Sequence, residues 1–419
     1  MNNGQMENSF RLQELREFLM DYFSIWEKEV LNYYPKSYDH FPQNWAQTIK
    51  NLSDHDKWLI DSKQSYESIK GNELFDLFNK LDQLISIPKA KKNKNLHLSL
   101  IERESLKIKK QHEIESLLQF FSAKKNELTD LPKNFLDIGG GKGHLSRLIE
   151  QKLLIEGTCL EMNQDLINSG KKLLAKNAKL QFSHQFLPPE NLDSCVEIFK
   201  NFKKDKKSLC LGLHTCGPLA TTILKASRQS NFETILNFGC CYLKLTPGEF
   251  VGISAIGKKF NLPLSKYALT LATRAHTGPT WEDFMMKKRV KYFRYGIHLY
   301  LYYKLGIQKF INVGDGSKND YKKSFGEYVD SRLERLSFSK VDSIDQINKW
   351  FEKIDIQEKI SDMFAMNIIR WQFGRAIELW ILLDRACYLE EQGYEAKLEE
   401  FFDEKISPRN IGLYANKLS

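Results

Sequence analysis

The chain has 419 residues, 42% of them hydrophobic and 27% charged. These proportions suit soluble globular domains and exclude collagen-like, mucin-like and mostly disordered chains, while the length implies two or three units. Lys and Arg number 62 against 53 Asp and Glu, a net charge of +9, which permits a polyanionic partner such as RNA without requiring one.

Residues 1–128 read as a helical region. Phe10, Leu12, Leu15, Phe18 and Leu19 recur at helical spacing, as do Leu74, Leu77, Phe78 and Leu81. The start, Met1-Asn2-Asn3-Gly4-Gln5, lacks the basic and apolar regions of a signal peptide. Lys89 to Lys94 reads as an exposed loop, and a helix follows over 105–124. Texture changes at Leu131-Pro132. Over 129–245 the pattern predicts strands at 134–138, 156–161, 179–184, 208–213 and 234–238. Helices at 145–152, 164–177, 193–201 and 219–227 separate them. Such alternation predicts βαβ units and a mostly parallel sheet. Residues 246–361 read as a mainly helical insertion after the fifth strand. Within it, 295–305 is apolar but short and carries His298 and Lys304, so it reads as a buried helix and no membrane partner is expected. Over 362–419 the pattern predicts one long helix at 364–392, ended by Gly393, then two strands at 394–402 and 410–415 that complete the sheet.

The seven cysteines, Cys159, Cys195, Cys210, Cys216, Cys240, Cys241 and Cys387, form no C-x-x-C pair, and their number is odd. A reducing, cytoplasmic compartment is expected.

The most informative stretch is Phe135-Leu136-Asp137-Ile138-Gly139-Gly140-Gly141-Lys142-Gly143-His144-Leu145. A strand runs into Asp137, then a glycine turn, then a helix. Dinucleotide sites space glycines as G-x-G-x-x-G, but His144 holds the last position. Asp137 with Gly139, Gly141 and Gly143 around Lys142 has instead the G-x-G-x-G spacing of S-adenosylmethionine sites, where the turn lies under an amino acid and a ribose. Glu161 closes the next strand, and a carboxylate there can accept from both ribose hydroxyls. S-adenosylmethionine is therefore the expected cofactor.

These residues resemble the opening motif of the methyltransferase-like protein 25 family. Lys109-Lys110-Gln111-His112-Glu113, Leu213-His214-Thr215-Cys216-Gly217 and Gly239-Cys240-Cys241-Tyr242-Leu243-Lys244-Leu245-Thr246 are similar to further family motifs. So are Leu382-Leu383-Asp384-Arg385 and Ser407-Pro408-Arg409-Asn410. The resemblance implies a class I methyltransferase, a Rossmann-like α/β fold with its core at 129–245. It implies that the turn around Lys109, His112 and Glu113 covers the cofactor pocket. Pro218 stands where the family usually has Asp. A family of tRNA ribose methyltransferases is similar in part, which points toward RNA.

Four residues are candidates for catalysis. His214 follows the fourth strand, where an acceptor would sit, and His titrates near neutrality; the alternative is a strand-end cap. Cys216, with Cys240 and Cys241, reads as packing or as lining of the acceptor pocket. No metal is expected, because adjacent cysteines on a strand point to opposite faces. Tyr242 and Lys244 alternate, so an aromatic platform beside a cation is weighed against core packing and a solvated lysine.

Two basic clusters are noted. Lys200, Lys203, Lys204, Lys206 and Lys207 read as solvated surface. Lys287, Lys288, Arg289, Lys291 and Arg294 interleave with aromatic residues, so RNA contacts are weighed evenly against solvated surface. The leading expectation is methyl transfer to a macromolecule, RNA first. The alternatives are a protein or small-molecule acceptor, or a catalytically inactive binding module. The oligomeric state is left open.

Overall fold

The structure is a computed structural model that describes residues 3–104, 106–126, 132–203, 207–245, 252–274 and 280–418. Ser105, Leu131, Thr246, the 128/129 boundary, and Lys204 and Lys206 of the first basic cluster lie outside the described residues. The chain divides into two compact units, one of residues 1–21, 84–275 and 375–419, the other of residues 22–83 and 276–374. This grouping cuts across the four segments read from sequence.

The first unit holds a seven-stranded sheet: β1 (Asn134–Ile138), β2 (Glu156–Glu161), β3 (Gln181–His184), β4 (Ser208–Cys216), β5 (Thr234–Cys240), β6 (Tyr394–Glu400) and β7 (Ile411–Lys417). Their order is β3-β2-β1-β4-β5-β7-β6. β1 to β5 pair in parallel, and β7 runs antiparallel to both β5 and β6. This is the Rossmann-like, mostly parallel class I methyltransferase sheet, completed by the last two strands. The order reverses at β1 and β4, and ligands of such sheets bind at the carboxyl ends of the strands flanking that point.

Strand alternation sends neighbouring residues into two cores. Phe135, Leu209 and Leu211 pack on one face with Leu117, Leu118 and Phe121 of the helix Ile108–Asn126. Leu136 and Cys210 pack on the other with Val196, Phe199 and Ile223. At the sheet edge, β6 buries Tyr394, Ala396 and Leu398 and exposes Glu395 and Lys397, a charged rim that discourages further strand pairing.

Two expectations are corrected. β4 does not end at 213 but continues to Cys216 through an irregularity between Gly212 and Thr215, and β5 reaches Cys240. The single helix over 364–392 is instead two, Ile354–Gln372 and Gly374–Glu391, parted at Phe373. Gly374 is the weak point: glycine costs about 1 kcal/mol in a helix interior.

In the second unit, the helix Trp281–Leu305 packs on Ile354–Gln372, which in turn packs on Gln43–Lys50. Ser324 with Glu327 and Ser343 with Gln346 form capping boxes that start the helices Phe325–Arg335 and Ile344–Phe351. Phe325 and Phe351 stack with ring centroids 3.9 Å apart. No helix among the described residues is long and apolar enough to cross a membrane.

Candidate active site

The turn after β1 begins the site. Gly139 and Gly141 have φ of +67° and +61°, the left-handed region, and a Cβ on either would meet nothing within 4 Å. The backbone is thus bare toward open space, a cradle that side chains would fill. Below it, Asp137 is buried, and Ser146 Oγ donates to its carboxylate at 2.5 Å. Burial pushes the Asp137 carboxyl up. Asp137 thus supports the turn from beneath. Lys142 is exposed at the tip.

Glu161 ends β2 and ties the turn to it. Its Oε2 accepts from Gly141 N at 2.9 Å, and its Oε1 accepts from Met162 N and Asn163 N, each at 3.0 Å. A carboxylate offers about four lone-pair sites, so one remains, on Oε2. Sequence reasoning passed over Met162 and Phe186, exposed apolar side chains just beyond β2 and β3. His184 Nε2, 2.8 Å from Met162 O, links the two strand ends.

The cradle and the remaining Oε2 site fit S-adenosylmethionine: Gly139 and Gly141 would hold it, and Glu161 would accept from its ribose.

His214 lies in the β4 irregularity with φ +61°, uncommon for a residue with a side chain. Its Nε2 is 2.8 Å from Glu113 Oε1, and Ser407 Oγ donates to that same oxygen at 2.8 Å. Lys109 Nζ stands 3.6 Å from Glu113. Glu113 is 1% exposed. Burial pushes its carboxyl up, but the hydrogen bonds and charge of His214, with Ser407 and Lys110, outweigh that and hold it at about 2. An ionised carboxylate only accepts, so Nε2 supplies the hydrogen of this bond. Among the described residues Nδ1 makes no hydrogen bond. Glu113 and Ser407 are the residues that sequence reasoning missed as partners of His214. Both lie in motifs read from the family resemblance, but 101 and 294 residues separate the hydrogen-bonded pairs. His112 of the same helix is turned elsewhere and accepts from Asp403 N at 2.8 Å.

The ends of β4 and β5 hold the other candidates. Cys216 and Cys240 are register partners with sulfurs 3.4 Å apart. Cys241 has left the strand with φ +52°, and its sulfur lies within 4.8 Å of both. The expectation that adjacent cysteines diverge fails because that turn ends the alternation. Tyr242 is fully buried, its hydroxyl donating to Glu378 at 3.1 Å, so it takes the core-packing alternative. Lys244 is exposed, but its stem lies against Gly217, where an added Cβ would come within 2.4 Å of Lys244 Cβ. Gly217 also has φ +56°. Pro218 opens the helix Pro218–Gln229, a first-turn position that needs no N–H.

The C-terminal motifs brace these ends. Asp384 accepts from Ile253 N and Ser254 N at 2.8 and 3.0 Å. Glu378 receives Tyr242, Arg375 at 2.7 Å and Arg409 at 3.4 Å. The Arg385 guanidinium is buried against Gly239.

The basic segment of the second unit is spent internally. Lys287 pairs with Asp61, Lys288 with Asp54 at 2.6 Å, Lys291 with Glu29 at 3.1 Å and Arg294 with Asp315 at 3.6 Å. Arg289 donates to the carbonyls of Tyr321 and Lys323.

Comparison with known proteins agrees with this geometry. A family described as a methyltransferase domain matches residues 109–248. The human probable methyltransferase-like protein 25 is 26% identical over 271 residues, 61% of this chain and 44% of that protein. The mouse protein of that name is 29% identical over 226 residues, 50% of this chain and 37% of that protein. The chain therefore matches less than half the length of these relatives. Among solved structures, the plantazolicin methyltransferase BpumL in complex with SAH is 15% identical, with 73% of this chain and 94% of that chain covered and a TM-score of 0.23. Coclaurine N-methyltransferase bound to N-methylheliamine and SAH is 12% identical, with 89% and 96% covered and a TM-score of 0.24. Superpositions this loose carry no argument about substrate. Residues 109–248 match a methyltransferase domain, and the chain is similar over part of its length to proteins named probable methyltransferase-like protein 25.

Proposed function

We propose that the chain transfers a methyl group from S-adenosylmethionine to an oxygen or nitrogen of a macromolecule, with His214 accepting the proton. The observation that carries this reading is the Glu113–His214 pair at the end of β4, the strand beside β1 and its glycine cradle. The bound donor supplies a carbon already activated by its sulfonium. The chain holds the reactants in line and removes a proton from the acceptor. Glu113 fixes the ring and its tautomer, and the Nδ1 lone pair takes the proton. The charge this places on His214 is balanced by Glu113.

RNA is the acceptor class we put first, supported by the net charge of +9. The segment at 285–295 adds little support, since its five cations have partners within their own unit.

Calorimetric titration of S-adenosylmethionine into wild type and Glu161→Ala tests the pocket. Saturable binding should weaken about 100-fold in the variant, which orphans three N–H groups at the turn. Absence of binding to folded wild type would sink the enzyme reading. Labelled methyl transfer to cellular RNA, protein and small-molecule fractions then identifies the acceptor.

A further inference from the structure

We propose that Cys216, Cys240 and Cys241 form a binding site for one soft divalent cation of the Zn2+ class. Their sulfurs all lie within 4.8 Å of one another, and the closest pair is 3.4 Å apart. Tetrahedral zinc with bonds of about 2.3 Å spaces its sulfurs roughly 3.8 Å apart, so small side-chain rotations close the set around an ion. Two features of the backbone create the convergence. Parallel register puts Cys216 beside Cys240. The left-handed turn at Cys241 then returns the third thiol to them, in a conformation that costs a non-glycine residue about 1 kcal/mol.

The surroundings suit the charge. Three thiolates around a divalent cation carry a net −1. The buried guanidinium of Arg385 lies against Gly239, next to Cys240, and its Nε and Nη1 have no hydrogen-bond partner among the described residues. The base of Lys244 adjoins the Cys216–Gly217 turn. The Arg385 guanidinium and the Lys244 stem thus border the strand ends that carry the sulfurs. Cys216 and Cys241 are partly exposed, which gives the ion an entry path and leaves a fourth position for water or a donor from outside. Each S–metal bond forms as its thiol gives a proton to solvent, three protons per ion, with no change of oxidation state.

The test uses the full chain, reduced and stripped of metal. Co2+ should bind one per chain and give thiolate-to-cobalt charge-transfer absorption that Zn2+ displaces. Cys241→Ser should weaken Zn2+ by about 100-fold or more, whereas Cys195→Ser should leave it unchanged. Should Cys241→Ser fail to fold, alkylation of wild type decides: Zn2+ should protect Cys216 and Cys241. Absence of the charge-transfer band in folded wild type overturns the proposal. So does a band that survives in Cys241→Ser, or unprotected thiols, or a Cys216–Cys240 disulfide in reductant. None of these readouts involves methyl transfer, so this proposal and the enzymatic one fail separately.

Discussion

Glu113 in the first unit and Glu29 in the second are both held at about 2 against the pull of burial. Their partners differ. Glu29 faces two cations, Lys291 and Arg370, of which the guanidinium does not give up its proton. Glu113 faces a histidine whose second ring nitrogen makes no hydrogen bond among the described residues. The first arrangement holds a fold together. The second stands at a strand end and holds the group proposed as the proton acceptor. A strongly shifted group marks chemistry only when its partner has capacity to spare.

The sharpest way to break this contrast is the rate. His214→Ala should lower turnover on a verified acceptor about 1000-fold, roughly 4 kcal/mol, while S-adenosylmethionine binding stays intact. Unchanged turnover would make His214 a strand-end cap. In the second unit the expected effect is on stability. Lys287→Met strips the cation from Asp61, whose side chain is fully buried, and should cost about 3 kcal/mol in urea melts. If that variant stays stable yet binds RNA with a reduced salt slope, the segment is an interface after all.

Acid titration sharpens the comparison further. A carboxyl lowered from 4.5 to about 2 contributes stability that is present above pH 4.5 and lost as pH falls through 2. Glu113→Gln should remove the share of this acid dependence that Glu113 contributes, at most about 3 kcal/mol in denaturant melts across that window, and leave the share of Glu29. A slope as steep as that of wild type would mean that Glu113 is not a lowered carboxyl. The smallest effect belongs to Lys288→Met. Its partner Asp54 is about a third exposed, so melts should shift by less than about 1 kcal/mol.

The sheet was legible because strand and helix periods alternate with little noise from residue 134 to 240, and because the two C-terminal strands repeat the pattern. The position of His214 near the carboxyl end of the fourth strand was legible, although the strand runs on through it to Cys216. The dependence of His214 on Glu113 and Ser407 was not, since no local period links residues 101 and 294 positions apart. Cys241 was misjudged for a similar reason: strand alternation holds only while the strand lasts, and Cys241 turns out of it. Residues 285–295 show what composition leaves out. Composition displayed five cations but not the acids at 29, 54, 61 and 315 that meet four of them.

The placement of β7 beside β5 has a consequence for synthesis. A ribosome makes β5 more than 170 residues before its neighbour, with Asn237 pairing to Leu413 and Thr234 to Asn416. Until residue 417 has left the exit tunnel, β5 of the nascent chain is a bare apolar edge able to pair with any passing strand. Ser407 arrives in that same late stretch, so Glu113 gains its second hydrogen bond only as the edge is sealed. Translation therefore delivers the glycine turn early and the second hydrogen bond to Glu113 late, with the exposed edge in the interval open to mispairing.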